Sequence, residues 1–464
     1  MTPARIARLP LATFVLFLAI PPVLAQKQTP PPGGPPKAFN VPEHESYSLP
    51  NGMHITLVPY GNLPKVGVLL DVHAGTANQP ADAPGLADLT AELLKEGTTS
   101  RTAKQVAEEA ANMGGTLEVE IDADQTRIVS DVLSEFGPQA AKLIADVAEH
   151  PLFPESELPR LKKDALRQLA IAMSRPQDIA RERFRKILYP NHPYGIVLPT
   201  EEGIGKTTVA GIKEFYADNF GAKRAYLYVA GRFDSAELKK AIAESFGAWS
   251  PGPAPSEHIP HPKPRHVLDL TDRPGAAQST LRIGLPVPGP NSPDAIPLDV
   301  TNALLGGSFG SRIVANLREQ KGYTYSPRSS ISTRYHDAYW VEAADVTTQY
   351  TGPSLKEIFA EVTRLQNEPP SEAELKGIET YLSGFFVIQN SSRSALVNQL
   401  DDVDFQGLGD DYLKNWVQNV NAVTPEKVQQ MTRQYIKPEE MTIVIVGDKS
   451  KIADQIKPFD PASK

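Results

Sequence analysis

Residues 84–98 read Pro84-Gly85-Leu86-Ala87-Asp88-Leu89-Thr90-Ala91-Glu92-Leu93-Leu94-Lys95-Glu96-Gly97-Thr98. Leu86, Leu89 and Leu93 recur at i, i+3 and i+7, with Pro and Gly ahead of them and Gly97 behind. That spacing predicts a short amphipathic helix with start and stop signals in place. Asp88 and Glu92 stand four residues apart, so their carboxylates share one helical face. Such a pair is ordinarily solvated, with Glu92 beside Lys95 in a surface ion pair. A hard cation held by oxygens is the alternative, and it needs further ligands.

Outward from that helix, residues 55–59 and 66–72 alternate or run apolar as strands do, following an Asn51-Gly52 hairpin turn. A second helix over 102–113 stops at Gly114-Gly115, and 116–121 with 126–133 reads as a strand pair. Residues 136–147 and 154–172 are helical, and 225–231 is a strand. The stretch 251–264 is dense in Pro and aperiodic, which marks a linker. Beyond it the pattern repeats. A strand at 281–285 precedes helices at 296–305 and 313–320, a strand at 340–344 and a helix at 355–365. Glu368-Pro369-Pro370-Ser371-Glu372 opens a long helix as Phe153-Pro154-Glu155-Ser156-Glu157 did, and 441–448 echoes 225–231. A period of roughly 200 residues is too long for a solenoid and implies two homologous domains. The expected fold class is α+β, each domain a mostly antiparallel β-sheet with helices packed on one face.

The chain has 464 residues, a net charge of −8 and no Cys. Disulfides and thiolate zinc sites are therefore excluded, and the acidic balance argues against nucleic acid or anionic membrane as partner. Residues 1–25 read as a secretory signal: Arg5 and Arg8, an apolar run, then Val23-Leu24-Ala25 before Gln26. Cleavage leaves no membrane insertion and an exported, most simply periplasmic, protein; an uncleaved anchor is the alternative. Residues 26–44 form a Pro-rich tether, 45–250 the first domain, 251–264 the linker and 265–464 the second domain. His258, His261 and His266 lie in or beside the linker, where an irregular backbone gives no fixed ligand geometry. Gly205-Lys206-Thr207 lacks the first glycine of a phosphate loop, since position 200 is Thr.

The 84–98 stretch is similar to the zinc helix of the pitrilysin/insulinase family of metallopeptidases, where Gly-Leu-Ala leads into HxxEH and then Gly-Thr. In that motif two His at i, i+4 hold Zn²⁺ and a Glu activates water. The resemblance places the first ligand at Asp88, the general base at Ala91 and the second ligand at Glu92. A methyl group at 91 takes no proton from water. The family's third ligand, a Glu about 75 residues further on, falls at Arg167 or Gln168, with Asp164 one turn away. The resemblance thus implies no metal and no cofactor on this chain.

In the second half, Leu304-Leu305-Gly306-Gly307-Ser308-Phe309-Gly310-Ser311-Arg312 precedes Leu317-Arg318-Glu319-Gln320-Lys321-Gly322-Tyr323-Thr324-Tyr325. This resembles the family's second-half signature, a Gly-rich turn, Leu-Arg-Glu, and a Tyr seven residues after the Arg. The likeness implies that Arg318 and Tyr325 reach toward a zinc site to hold substrate backbone and developing oxyanion. It also implies substrate contacts from Gly306, Gly307, Ser308 and Tyr323. The structural alternative gives Arg318 to a salt bridge and the tyrosines to the core. Half-length members of the family divide labour, so the expected function is the non-zinc subunit of a heteromeric metallopeptidase. Its expected partners are an HxxEH-containing subunit, which carries the zinc, and a peptide or unfolded polypeptide. A purely structural or peptide-binding subunit and a stand-alone zinc-dependent peptidase are the competing readings.

Overall fold

Apolar β-branched runs at 55–58, 66–72 and 227–230 are too continuous for strands with a wet face. In the computed structural model, which describes residues 40–255 and 259–463, they lie in one sheet. Its strands are β1 (Glu45–Ser48), β2 (His54–Pro59), β3 (Lys65–Val72), β4 (Leu117–Ile121), β5 (Thr126–Leu133) and β6 (Ala225–Gly231), ordered β1-β2-β6-β3-β5-β4. A second sheet holds β7 (Val267–Asp272), β8 (Gln278–Val287), β9 (Arg328–Arg334), β10 (Asp337–Thr347) and β11 (Thr442–Gly447), ordered β7-β11-β8-β10-β9. In each half the last strand inserts between the first two of the repeat, parallel to one and antiparallel to the other. The duplication read from spacing is therefore also a duplication of strand pairing. The expected signal segment and most of the tether lie outside the described residues. Among the described residues no helix is long and apolar enough to cross a membrane.

One face of each sheet packs on its own half's helices, as the α+β pattern requires. In the first half these include Leu86–Leu94, Gly137–Glu149 and Ser235–Phe246; in the second, Ala295–Asn302, Thr351–Asn367 and Pro425–Tyr435. The other faces are also dry, and each is covered by the opposite half. Helix Arg393–Gln406 lays Leu396, Val397, Leu400 and Val403 on Val58, Leu69, Tyr228 and Ala230 of the first sheet. Helix Pro176–Leu188 lays Ala180, Phe184 and Leu188 on Tyr339, Val341, Val444 and Val446 of the second. Each half thus lends a helix to the other, which accounts for strands buried on both sides.

The Leu86–Leu94 helix forms where its leucine spacing places it, with Leu86, Leu89, Leu93 and Leu94 in the first core. Gly97 ends it with φ +107°, and a Cβ there would lie 2.7 Å from the Arg101 carbonyl oxygen, so only glycine fits. Nearby, the Gly137–Glu149 helix ends on a half-buried Glu149 whose Oε1 has no hydrogen-bond partner. Burial first, then the charge of Asp146, pushes its carboxyl from 4.5 to about 8. The folded chain then holds a proton that the unfolded chain releases. This contribution is full below pH 4.5 and is lost as pH rises through about 8. Urea unfolding should show stability falling across that window, and Glu149→Gln should flatten the slope. An unchanged slope in the variant would refute the assignment.

Candidate functional site

The second-half signature is built from two wide turns rather than the two regular α-helices expected. Helix Ala295–Asn302 widens into a π-helical turn, Ala303–Gly307, and Arg312–Val314 widens into Ala315–Gln320. Such widening needs a local cause and is frequent at functional positions. Here Asn302 Oδ1 is held from outside the helix, accepting from Ser329 Oγ at 2.7 Å and Trp340 Nε1 at 3.0 Å. The following Gly306 lies directly on the sheet. A Cβ there would stand 2.6 Å from Ser329 Oγ and 2.8 Å from Glu342 Oε2. Glu342 is fully buried, and burial, opposed only by the Arg328 backbone, raises its carboxyl well above the usual range. A neutral acid under the loop follows from that environment.

The second wide turn delivers Arg318. Its guanidinium carbon lies 4.7 Å from the Phe309 ring centre and 4.5 Å from that of Tyr325, clasped by the two aromatics. Nε pairs with Glu319 Oε1 at 3.1 Å, and among the described residues no hydrogen bond engages its terminal nitrogens. Tyr325 is 78% exposed and Phe309 68%, so the clasp stands at the surface. The loop is anchored by Arg312, which grips Glu374 in bidentate fashion at 2.7 and 2.8 Å. A cavity of about 400 Å³ opens here, with Gly306, Gly307, Ser308, Arg318 and Tyr325 in its wall. Ser308 Oγ is buried there without a partner.

Tyr323 is placed differently from the expectation. It stacks on Tyr350 at 4.4 Å and packs against the second core, outside the cavity wall. The reason is its backbone, whose N–H donates to Leu317 O at 2.9 Å and draws the residue under the turn. The cavity's far wall was not foreseen at all. Tyr381 and Phe385, stacked at 5.7 Å on helix Glu372–Gln389, form it, and Ile388 continues the exposed stripe. Their i, i+4, i+7 spacing was readable, but reads equally as a core face.

The first-half stretch lies elsewhere and is differently equipped. Glu92 is exposed and paired with Lys95 at 2.7 Å, as expected of a surface helix. Asp88 departs from the solvated expectation: it is half-buried, and burial, then the Glu92 charge, raises its carboxyl. Ala91 is 4% exposed. On the adjoining helix Leu158–Ser174, Asp164 lies between Arg160 at 3.6 Å and Arg167 at 3.5 Å, while Arg167 and Gln168 are exposed. Arg160 also binds Glu157 at the start of its own helix and Glu96 in the segment just after Leu86–Leu94. Near the linker, His266 Nδ1 sits 3.2 Å from Met441 O and His261 is exposed; His258 lies outside the described residues.

Residues 59–200 match the family described as insulinase (peptidase family M16), and residues 206–382 match the peptidase M16 inactive domain. The chain belongs to the M16 family. A Bacillus subtilis protein described as the uncharacterized zinc protease YmxG is 24% identical over 397 residues, 84% of this chain and 94% of that protein. The Helicobacter pylori non-peptidase homolog YmxG is 23% identical, covering 84% of this chain and 90% of its own. In three dimensions, a Pseudomonas fluorescens peptidase M16 inactive domain superposes with a TM-score of 0.81 at 24% identity, covering 87% and 98% of the two chains. A Helicobacter pylori protease gives 0.82 at 20% identity, covering 88% and 100%. These structural likenesses establish the fold.

The zinc that the M16 family implies does not fit the residues present. A metal at the motif would need two neutral imidazoles and a carboxylate base. The chain offers instead a half-buried acid, a methyl group and a carboxylate neutralised by Lys95, faced by an arginine-bearing helix. This is an M16 chain of the non-catalytic type.

Proposed function

We propose that this chain is the non-zinc subunit of an exported two-chain M16 peptidase. It completes a peptide-binding chamber and presents Arg318 and Tyr325 to the zinc site of an HxxEH-bearing partner. The observation that carries this reading is the asymmetry between the halves. The zinc positions have lost both imidazoles and the general base, whereas the Arg/Tyr pair stands on a braced loop. A guanidinium with free terminal N–H groups can donate two hydrogen bonds to a peptide carbonyl as charge develops on its oxygen. Tyr325 and Phe309 fix the direction of that fork, and Tyr381 with Phe385 offers an apolar wall for a substrate side chain. Water activation belongs to the partner. Alone, the chain should leave an unfolded casein-type substrate intact; mixed with its HxxEH partner it should restore cleavage. Turnover by the purified chain by itself would overturn the reading.

The exposed Tyr381–Phe385–Ile388 stripe favours one competitor, a peptide-binding or structural subunit without a role in catalysis. Arg318 separates the two readings, since only the first needs its charge in the rate-limiting step.

A further inference from the structure

Asp71 lies on β3 and His73 is the residue just past its end, two positions on, which sends both side chains toward the same face of the first sheet. That face is the one covered by helix Arg393–Gln406, and Asp401 of that helix descends onto the pair. One ligand atom from each of the three residues lies within 4.8 Å of the others, close enough to surround a single ion. His73 Nε2 is 3.3 Å from Asp71 Oδ2, and the Asp71 and Asp401 side chains are wholly buried.

An acidic cluster alone would mean little; the unmet hydrogen bonds mean more. Among the described residues Asp71 Oδ1 and Asp401 Oδ1 are buried with no N–H donor, His73 Nε2 has only the Asp71 carboxylate at 3.3 Å, and Asp401 Oδ2 has only the Arg127 ion pair at 3.0 Å. Buried acceptors that outnumber the donors around them are costly unless a cation or a shared proton joins them. The surroundings have the form of an outer shell. Gln125 Nε2 donates to Asp71 Oδ2, and Arg127 Nη2 faces Asp401 Oδ2 at 3.0 Å. The His73 ring is held by stacking on Tyr226 at 4.3 Å and by the edge of Phe405 at 5.0 Å. Arg127 does not cancel the negative potential, because Asp122 at 3.8 Å and Asp402 at 3.9 Å share its charge. His73 also forms part of the wall of a cavity of about 210 Å³, which gives an ion a way in and leaves room for water.

We propose that Asp71, His73 and Asp401 form a divalent transition-metal site that ties helix Arg393–Gln406 to β3 and so fastens one half of the molecule to the other. One imidazole with two carboxylates suits Zn²⁺ better than Mg²⁺ or Ca²⁺, which take oxygen donors, and Zn²⁺ binds N/O sites more tightly than Mn²⁺. The site is separate from the M16 zinc position on the Leu86–Leu94 helix, and its role is structural.

The test uses the full chain, stripped with a chelator and titrated with Co²⁺ and Zn²⁺. One equivalent of Co²⁺ should produce visible d–d bands that one equivalent of Zn²⁺ abolishes. Zn²⁺ should also raise the melting temperature, and EDTA should reverse the rise. Asp401→Asn and His73→Ala should each weaken binding by about 100-fold or more, while the double variant Asp88→Asn/Glu92→Gln binds as before. His73 borders the cavity, so its variant serves if Asp401→Asn fails to fold by circular dichroism. Absence of stoichiometric binding, or binding indifferent to His73→Ala, would overturn the proposal. So would a proton shared by Asp71 and Asp401 in place of a metal, seen as stability that follows pH and ignores Zn²⁺. Neither outcome bears on the subunit reading above, which rests on turnover with a partner.

Discussion

Arg318→Ala should lower kcat of the reconstituted peptidase by about 10²–10³-fold, the usual cost of removing one oxyanion donor. The affinity between the two chains should stay unchanged. The first half of this expectation comes from chemistry. Arg318 is clasped between Phe309 and Tyr325 with its terminal nitrogens free, so its side chain loses little freedom when it meets a carbonyl oxygen. Its hydrogen bonds strengthen only as that oxygen gains charge, which places the loss in kcat rather than KM. The second half comes from structure. Among the described residues Arg318 makes no bond to the core and pairs only with neighbouring Glu319, so its removal should leave the fold intact. Arg318→Lys keeps the charge and loses the planar fork, and should recover only part of the rate. A kcat unchanged in Arg318→Ala, with cleavage still dependent on this chain, would assign the chain a structural role instead.

Which parts of this molecule were legible depends on whether their cause is local. The Leu86–Leu94 helix, the strand pair β4–β5 and the echo between β6 and β11 rest on periodicity within a few residues, and they form as read. Gly306 and Arg318 were readable as a motif, and the cavity gathers them. The π-helical widening beside them was not, because it depends on Asn302 being held by Ser329 and Trp340, 27 and 38 residues away. Tyr323 and Tyr325 differ by two positions, and nothing local says which one lies under the turn. Asp88 looked like a surface acid because the sequence does not reveal the neighbours that bury it. Asp71 and Asp401 are separated by most of the chain, and only the exchange of helices between halves brings them together. Long pairings that bury polar groups leave little trace in a single sequence.

That exchange has a measurable consequence. Phe184→Ala should destabilise the protein by about 3–5 kcal/mol, the range for truncating a buried phenylalanine. Phe184 belongs to the first half by sequence, on helix Pro176–Leu188, yet it is 0% exposed against the second half's sheet. Its ring meets Tyr339 at 5.5 Å and carries the Arg282 guanidinium at 5.7 Å. Gly284 makes room for it, since a Cβ there would lie 3.0 Å from Phe184 Cζ. The cavity left by alanine is walled by two strands and cannot close without moving the sheet, which sets the cost near the top of the range. The more telling readout is where the loss appears. Trp249 reports the first core and Trp340 the second, so single-tryptophan variants follow the two halves separately in urea. If the lent helices bind the halves into one cooperative unit, Phe184→Ala lowers both midpoints together. A shift at Trp340 with Trp249 unmoved would mean that each half carries its own stability, and that the exchanged helices only cover surface.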